Sequence, residues 1–334
     1  MANLRLSLPE GFSSRARLVV GVSGGCDSLA LLQILVQNTD PKKMIAAHVN
    51  YGLRGKESRA DEAFVRKICA QRGVVLRVLR VRGLEKKIKK EKSNLQEEAR
   101  KIRYSFFSRL VQKEKSWGAA VAHHLEDQAE TVMDRFLRGT GAKGLSGLRR
   151  TQMLHFSPYK PLKVWRPLLG YTKDELKSYL RSQNIVWRED RSNQKMDYRR
   201  NQIRHLVLPF LTRWNSNLIQ SLSRMGEVAA EENRFLEEWA KESGVRLQGK
   251  WSKKSYVCSQ KKFRTADLVL QRRWARQVAE RLNPDARGLS FDRVELILRL
   301  WNGDEKGPRD VGYGLSAGLV ESDLYLKNVG LWKK

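Results

Sequence analysis

The chain has 334 residues, enough for two or three domains, and a formal net charge of +29 from 65 basic and 36 acidic side chains. Such a charge favours nucleic acid or an anionic membrane as a partner, and no apolar run reaches the roughly 18 residues that a membrane-spanning helix needs. The N-terminus also lacks the apolar core of a signal peptide, so we expect a cytoplasmic protein that meets nucleic acid.

The first predicted unit is a strand, a glycine turn and a helix. Arg17–Val22 is short, apolar and rich in β-branched residues, as in a buried strand. Gly24 and Gly25 permit a tight turn, and Leu29–Val36 has the apolar spacing of an amphipathic helix. This arrangement directs backbone N–H groups and the positive end of a helix dipole at an anion. A phosphate-binding loop is therefore the first hypothesis.

The turn itself, Ser23–Ser28, has the sequence SGGCDS. A Walker A loop needs a lysine before its serine, and Asp27 occupies that place, where a carboxylate is useful chiefly through a bridging Mg²⁺. The string resembles the SGGxDS motif of the PP-loop ATP pyrophosphatases. That resemblance implies a loop that holds the β,γ-pyrophosphate of ATP and a reaction at the α-phosphate. A glycine-rich turn in an ordinary α/β domain is the alternative.

Three more strands, each followed by a helix, are predicted beyond this unit. The strands are Met44–Asn50, Val74–Val81 and Ala119–His124, and the helices are Ser58–Gln71, Asn94–Lys113 and Glu126–Leu137. The charge run Lys86–Lys92 is expected to be a solvated or mobile loop. The alternation predicts a parallel sheet with helices on both faces, whose ligands lie at the carboxyl ends of the strands.

Two polar segments fall at such strand ends. His48–Gly55, which includes Arg54, suits contact with a nucleotide or RNA, and a plain surface turn is the alternative. In the segment AHHLEDQAET, His124 and Asp127 share a helix face, and Asp127 also complements the helix dipole. Capping with surface charge is the alternative there, and a zinc site lacks a third soft ligand nearby.

Two later segments are basic. Residues 138–148 contain a GxGxxG pattern that follows a helix, which argues against a dinucleotide fingerprint; a mobile glycine loop over the site is predicted, with Arg138 and Lys143 near phosphates. Trp187–Pro209 combines arginines with aromatic residues that could stack a base, and a plain basic helix is the alternative. The residues concerned are Arg199, Arg200, Arg204, Trp187 and Tyr198.

The pattern divides the chain into three parts. These are a catalytic domain at 1–209, a connecting long helix at 210–240, and a basic, mainly helical domain at 241–334. Predicted elements beyond the first part are helices at Leu211–Trp239, Ala266–Leu282 and Phe291–Trp301 and a hairpin at Gly312–Leu331. Earlier, Thr172 and Glu175 fit a capping box. The basic tail suits RNA binding, and a solubilising surface is the alternative.

Seven ordered blocks across roughly residues 15–210 resemble the bacterial tRNA(Ile)-lysidine synthases. They are SGGCDS (23–28), HVNYGLR (48–54), EARKIRY (98–104), AHHLEDQAET (122–131), RGTGAKGLSG (138–147), RPLL (166–169) and the segment from DRSN to YRRNQIR (190–204). The tail looks like that family's first C-terminal domain, and the last domain of longer members is expected to be lacking. Arg191 stands where many members have proline.

The resemblance implies an adenine nucleotide alpha hydrolase-like, Rossmann-like PP-loop domain and an ATP-dependent reaction. L-Lysine would be joined to C2 of the wobble cytidine of a tRNA(Ile) with a CAU anticodon, through an adenylated cytidine, which changes codon reading from AUG to AUA. The implied partners are ATP, Mg²⁺, this tRNA and L-lysine, with no membrane. The resemblance also allows a homodimer.

Residue roles follow from the same resemblance. Asp27 is expected on Mg²⁺ and ATP or on the lysine amine, with His124 and Asp127 beside the target base or the metal. Arg200 is expected at the cytosine edge, and the proton acceptor stays open between Asp27, His124 and Asp127. The ATP-binding set is Ser23, Gly24, Gly25, Cys26, Asp27, Ser28, His48, Asn50, Arg100 and Arg103, and the tRNA-binding set is Arg54, Arg138, Lys143, Arg199, Arg200 and Arg204.

Other activities remain as competitors. A tRNA-thiolating PP-loop enzyme often uses paired cysteines, whereas Cys26, Cys69 and Cys258 form no CxxC pair, which also argues against a zinc ribbon or a disulfide framework. A non-catalytic RNA-binding protein would bind tRNA without releasing AMP. A small-molecule synthetase would turn over without RNA and would leave the charge of +29 unexplained.

Overall fold

The computed structural model describes residue 4 and residues 6–13, 15–91, 94–155, 160–188, 199–247 and 249–330. The chain divides into two compact units, Met1–Ala230 and Glu231–Lys334. The division falls inside the helix that the sequence predicts as a connector. Within the described ranges, no helix is both long and apolar enough to cross a membrane.

The first unit is built on a six-stranded sheet. Its strands are β1 (Leu18–Gly21), β2 (Met44–Asn50), β3 (Val75–Arg80), β4 (Ala119–Ala120), β5 (Thr151–Leu154) and β6 (Leu162–Trp165). They lie in the order β3-β2-β1-β4-β6-β5, and each neighbouring pair is parallel except β5 with β6. The predicted parallel sheet is confirmed. The chain leaves β1 for β2 on one side and returns to β4 on the other, so the carboxyl ends of β1 and β4 flank a topological switch point.

Helices cover both faces of this sheet. They are α1 (Cys26–Asn38), α2 (Lys56–Gln71), α3 (Leu84–Glu91), α4 (Leu95–Lys113), α5 (Leu125–Phe136), α6 (Ala142–Leu145), α7 (Lys173–Ser182), α8 (Arg199–Gln202), α9 (Leu208–Thr212) and α10 (Leu218–Leu247), which continues into the second unit. Successive strand residues face opposite ways, so Val20 joins the core with α1 and α7 while Val19 joins the core with α4.

Two segments predicted as loops contain helix. Most of Lys86–Lys92 belongs to α3, because Leu84 is buried at the start of that helix and supplies the apolar contact that a run of lysines lacks. Residues 138–148 include α6. Arg135 holds that segment by donating hydrogen bonds to the carbonyl oxygens of Gly144 and Gly147, at 2.7 and 3.0 Å. The mobility predicted for this segment stays a prediction.

Other boundaries also differ from the prediction. The strand at Ala119–His124 ends at Ala120, because the chain turns into α5 at His124, whose backbone N–H donates to the Asp127 carboxylate at 3.0 Å. The helix predicted at Leu211–Trp239 is interrupted at 213–217, between α9 and α10. β5 and β6, each four residues long, were not predicted.

The second unit packs helices on an antiparallel sheet. Its strands are β7 (Lys250–Trp251), β8 (Ser255–Ser259), β9 (Arg309–Gly312), β10 (Leu315–Val320) and β11 (Asp323–Asn328), in the order β7-β8-β11-β10-β9. Its helices after α10 are α11 (Gln260–Arg264), α12 (Leu268–Leu282) and α13 (Phe291–Asn302). The predicted terminal hairpin is confirmed as β10 and β11. The other three strands were missed. β7 and β9 have only two and four residues, and β8 pairs with β11, which is distant in sequence.

Candidate active-site cleft

The loop between β1 and α1 has the backbone shape that its glycines predict. Gly24 has a φ of +93°, which favours glycine, and a Cβ there would lie 3.2 Å from Val65. The Ser28 Oγ braces the loop by accepting the backbone N–H groups of Ser23 and Gly24 at 3.1 and 3.2 Å. The first N–H groups of α1 have no intrahelical acceptor, so the loop and helix together present donors to an anion.

A cleft of about 520 Å³ opens beside this loop, at the carboxyl ends of β1 and β4. Aromatic rings and positive charges form its walls. The aromatic residues are Tyr51, Tyr104, Phe107 and Trp187, and the basic ones are Arg103, Lys173, Lys177 and Arg188. Such a wall suits a ligand that combines a planar ring with several negative charges, as a nucleoside triphosphate does.

Asp27 lies in the first turn of α1 and lines the cleft. Its side chain is 31% exposed, yet Oδ1 is buried and has no hydrogen-bond partner in the described part of the chain. Burial raises the pKa of Asp27 despite the opposing attraction of His124 and Lys173. An unpartnered carboxylate oxygen of this kind is suited to a cation, either a metal ion or an ammonium group.

His124 lies among three carboxylates and is only 3% exposed. Its Nδ1 is 2.8 Å from Glu126 Oε2, and its Nε2 is 3.5 Å from Asp127 Oδ2. The same Nε2 is 3.7 Å from Asp27 Oδ2. Burial alone would lower the pKa of His124, but the Glu126 hydrogen bond and the two Asp charges outweigh it and raise that pKa. His124 thus links the phosphate loop to α5.

Two buried carboxylates and two arginines extend this cluster. Asp127 and Glu130, on α5, are 7% and 1% exposed. Arg200, on α8, donates to Glu130 from Nε at 2.7 Å and contacts Asp127 through Nη2. Arg204 Nη2 lies 3.0 Å from Glu130 and 3.4 Å from Asp127. Burial would raise the pKa of Asp127, but the positive charges of His124 and Arg200 hold it far below its ordinary value.

Two of the predicted ATP-binding side chains hold the fold instead of lining the cleft in the described residues. His48, which is buried, donates from Nδ1 to the carbonyl oxygen of Val22 at 2.9 Å, and burial lowers its pKa. Asn50 donates to the carbonyl oxygen of Ser58 and to the carboxylate of Glu62, both at 3.1 Å. These contacts fasten the end of β2 to its neighbours.

The two predicted arginines of α4 both stack on one tyrosine. The guanidinium carbon of Arg100 is 4.7 Å from the ring centroid of Tyr104, and that of Arg103 is 5.5 Å away. Of the two, Arg103 lines the cleft. A contact between Arg103 and a phosphate therefore fits the geometry more directly than one from Arg100.

The predicted tRNA-binding arginines are brought together at acidic residues. Arg138 and Arg199 each contact Asp134 at 2.8 Å, so the end of α5 and the start of α8 lie side by side. Lys143 is exposed in α6. The predicted stacking residue Tyr198, like the rest of 189–198, lies outside the described residues.

Arg54 and the cleft residue Arg188 contact the same carboxylate. Asp61 contacts Arg54 Nη2 at 2.8 Å and also contacts Arg188, which lines the cleft. Trp187, predicted to stack a base, lines the cleft as well. Asp61 thereby links Arg54, in the segment after β2, to Arg188 at the cleft.

Sequence reasoning missed Lys173, Lys177 and Glu126. Both lysines project from α7 into the cleft wall, and Glu126 accepts the backbone N–H of Lys173 at 3.1 Å. The capping box predicted at Thr172 fixes the start of α7, with Thr172 Oγ1 accepting the Glu175 N–H at 3.2 Å. Lysines four residues apart share a helix face, so the pair was detectable. The position of Glu126 depends on tertiary packing and was not.

Comparison with known proteins gives matches over most of the chain. A family model described as a PP-loop domain matches residues 3–211. The tRNA(Ile)-lysidine synthase of Solibacter usitatus (strain Ellin6076) is 35% identical over 293 residues, which cover 86% of this chain and 62% of that protein. The protein of the same name from Geobacter sulfurreducens is 34% identical over 285 residues, 85% of this chain and 59% of its own. The chain thus spans about three-fifths of the length of these relatives.

A solved structure shows the same fold. The U34-tRNA thiolase NcsA from Methanococcus maripaludis superimposes with a TM-score of 0.53 at 21% sequence identity. The match covers 66% of this chain and 74% of that one. At this identity the likeness concerns the fold alone.

Proposed function

The chain belongs to the PP-loop family, and from that membership we propose that it is an ATP-dependent ligase that joins L-lysine to the wobble cytidine of a tRNA(Ile) with a CAU anticodon. The observation that carries the proposal is the cleft in which the phosphate loop, Asp27 and the His124–Asp127 pair meet. The shared name of the two curated relatives supports it. We place the reaction in the cytoplasm.

ATP is proposed to bind with its outer phosphates on the N-terminal end of α1. The N–H groups of that first turn and the cationic wall formed by Lys173 and Lys177 complement four negative charges. The α-phosphate then lies toward the cleft, where a cytosine can approach. Its O2 attacks phosphorus, the bond to the bridging oxygen breaks, and pyrophosphate leaves. The product is a cytidine whose O2 carries AMP.

The second step replaces that oxygen with nitrogen. The lysine ε-amine attacks C2, the C2–O2 bond breaks, and AMP departs with O2. An amine must lose its protons to act as a nucleophile and to complete the substitution, so a neighbouring group must accept them. Asp127 is a poor acceptor because its ion pairs hold its pKa far below the ordinary value. Asp27 and His124 remain for this role, and Asp127 stabilises positive charge.

Mg²⁺ fits the same site. The buried Oδ1 of Asp27 has no hydrogen-bond partner among the described residues, which makes it available to a cation. Among the described residues, no group of three or more His, Cys, Asp or Glu side chains is arranged to hold a metal ion by itself. Mg²⁺ can instead take one carboxylate together with water and phosphate oxygens. When bound, Mg²⁺ would neutralise phosphate charge.

Arg200 was expected to contact the cytosine edge. Its contacts with Asp127 and Glu130 support a different first role, in which Arg200 compensates two buried carboxylates and keeps the catalytic face of α5 in place. We propose that Arg200 reads the base while it keeps its contact with Glu130.

Transfer of labelled L-lysine to unmodified tRNA(Ile) with a CAU anticodon tests the proposed function. We expect acid-stable label that requires ATP, and none on the same tRNA with uridine at the wobble position. D27N should abolish transfer, because the variant loses the carboxylate that a cation needs. D40N is the matched control, since Asp40 is exposed on a surface turn and asparagine preserves its capping acceptor.

Four results would count against the proposal. Label transfer without ATP would exclude adenylation, and equal transfer to the uridine tRNA would exclude the wobble cytidine as target. Binding of tRNA without any transfer would favour an RNA-binding protein, and a sulfur-containing product would favour thiolation.

A further inference from the structure

Two adjacent histidines at the cleft have opposite surroundings. His124 faces carboxylates, whereas His123 faces an arginine. Arg166, which follows β6 directly, donates a hydrogen bond from Nε to the Nδ1 of His123 at 3.1 Å. His123 lines the cleft, and Arg166 is fully buried behind it. The proposed reaction assigns no role to this pair.

The structure fixes Arg166 firmly in place. Its Nη1 donates to the carbonyl oxygen of Arg149 at 2.7 Å, and its backbone N–H donates to the carbonyl oxygen of Arg150, also at 2.7 Å. The guanidinium therefore lies in one position between the segment before β5 and the wall of the cleft. A buried charge held in this way is expensive, so its contact with His123 calls for a functional explanation.

The contact determines which ring nitrogen of His123 carries hydrogen. A guanidinium has only donors, so Nδ1 must accept with its lone pair and the single hydrogen of the neutral ring lies on Nε2. We propose that Arg166 is a positioning residue that fixes His123 as a neutral Nε2–H donor to an oxygen acceptor of the bound nucleotide. The inference rests on the proposed function only for the identity of that nucleotide.

The charges around His123 support a neutral ring. Burial is the main influence, and with Arg166, Arg200 and Arg103 it outweighs the attraction of Asp127 and lowers the pKa of His123 well below its ordinary value. With one lone pair engaged by Arg166 and the other nitrogen protonated, His123 cannot accept the lysine proton. The two histidines thus lie in different surroundings: carboxylates raise the pKa of His124, whereas burial and arginines keep His123 a neutral donor.

Nuclear magnetic resonance of the full chain labelled with ¹⁵N-histidine tests the assignment without any activity. In the wild type we expect the His123 ring to carry hydrogen on Nε2 only, unchanged from about pH 5.5 to 8. H123Q identifies the resonance by its loss. R166M should release the ring into a tautomer mixture that titrates in this range, and R109M, which removes an exposed arginine of α4, should not. Hydrogen on Nδ1, or titration of the wild-type ring, would overturn the proposal.

A second comparison separates a donor from a proton acceptor, and it stands even if R166M fails to fold. Glutamine keeps an N–H donor near the position of Nε2 but cannot exchange protons. In lysine transfer, H123Q is expected to turn over about tenfold faster than H123A, with the wild-type pH profile. Equal losses in the two variants would contradict the donor role. Failure of all transfer in the wild type would refute the proposed function but leave the resonance assignment intact.

Discussion

The Glu62 carboxylate accepts hydrogen bonds from side chains of three segments. Arg80, at the end of β3, donates to it from Nε at 2.9 Å and from Nη2 at 2.6 Å. Asn50, at the end of β2, donates at 3.1 Å, and Arg66 donates from the next turn of α2 at 3.0 Å. The Arg80 hydrogen bonds outweigh burial and lower the pKa of Glu62 to about 2. Glu62 therefore ties α2 to the two strand ends beside the cleft.

Substitution of this one residue should give a pH-dependent loss of stability. E62Q is expected to lower the free energy of unfolding by about 1–2 kcal/mol at pH 7, after allowance for water around the exposed arginines. Because the folded-state pKa is depressed, the contribution of Glu62 is present above its unfolded pKa of about 4.5 and is lost as pH falls through about 2. Urea unfolding should show the difference between variant and wild type shrinking by roughly half at pH 3.

Glu97 provides the matched control for this prediction. Its carboxylate is 64% exposed and pairs with Lys101 at 3.0 Å, so E97Q should change stability by no more than about 0.5 kcal/mol at either pH. If E62Q and E97Q behaved alike, or if the E62Q loss did not change with pH, the ion-pair account of Glu62 would be wrong.

The helix α7 connects local sequence to the cleft. Thr172 accepts the Glu175 N–H at 3.2 Å, and Glu175 accepts the Thr172 N–H at 2.7 Å, so the predicted capping box is confirmed. Since Lys173 and Lys177 line the cleft from this helix, loss of the cap should disturb them. T172A is expected to cost about 1 kcal/mol of stability and to weaken ATP binding severalfold.

T172S tests the capping argument directly, because serine keeps the oxygen and loses only the methyl group. Calorimetric titration with ATP and urea unfolding should place T172S close to the wild type. A T172A variant that binds ATP normally would show that the lysines of α7 do not depend on its first turn.

The sequence predicted those elements that depend on residues close together in the chain. β2 was predicted with its observed bounds because its apolar residues lie together, and six of its seven residues are buried. The SGGCDS turn identified the phosphate loop. Strands of two to five residues, such as β7 and β8, carry too few residues for a periodicity. The partnership of Arg166 with His123 joins positions 43 residues apart and follows only from the fold.

The net charge of +29 is a property of the whole chain and predicts how tRNA binding responds to salt. Each phosphate contact releases condensed ions, so affinity should fall steeply as salt rises. Lys253 and Lys254 are exposed in the second unit. If that unit binds tRNA, K253Q/K254Q should make the negative slope of log affinity against log salt concentration shallower by about two.

The control for this measurement removes the same charge elsewhere. Lys89 and Lys90 are also exposed but lie on α3 of the first unit, so K89Q/K90Q should leave the slope unchanged. Equal effects of the two double variants would indicate a diffuse attraction to charge, which is the behaviour of a solubilising surface.

The ion pairs between α5 and α8 affect the order in which parts of the first unit can fold during synthesis. An N-terminal domain begins to fold while the ribosome is still extending the chain. Glu130 is made 70 residues before Arg200, and a buried carboxylate without its counter-ion is costly. The phosphate loop and sheet can therefore assemble early, but the face of α5 that carries Asp127 and Glu130 cannot settle until α8 emerges. A nascent chain that stalls before Arg199 would have the phosphate loop without the arginines that pair with Asp127 and Glu130, so we expect its proposed site to be incomplete.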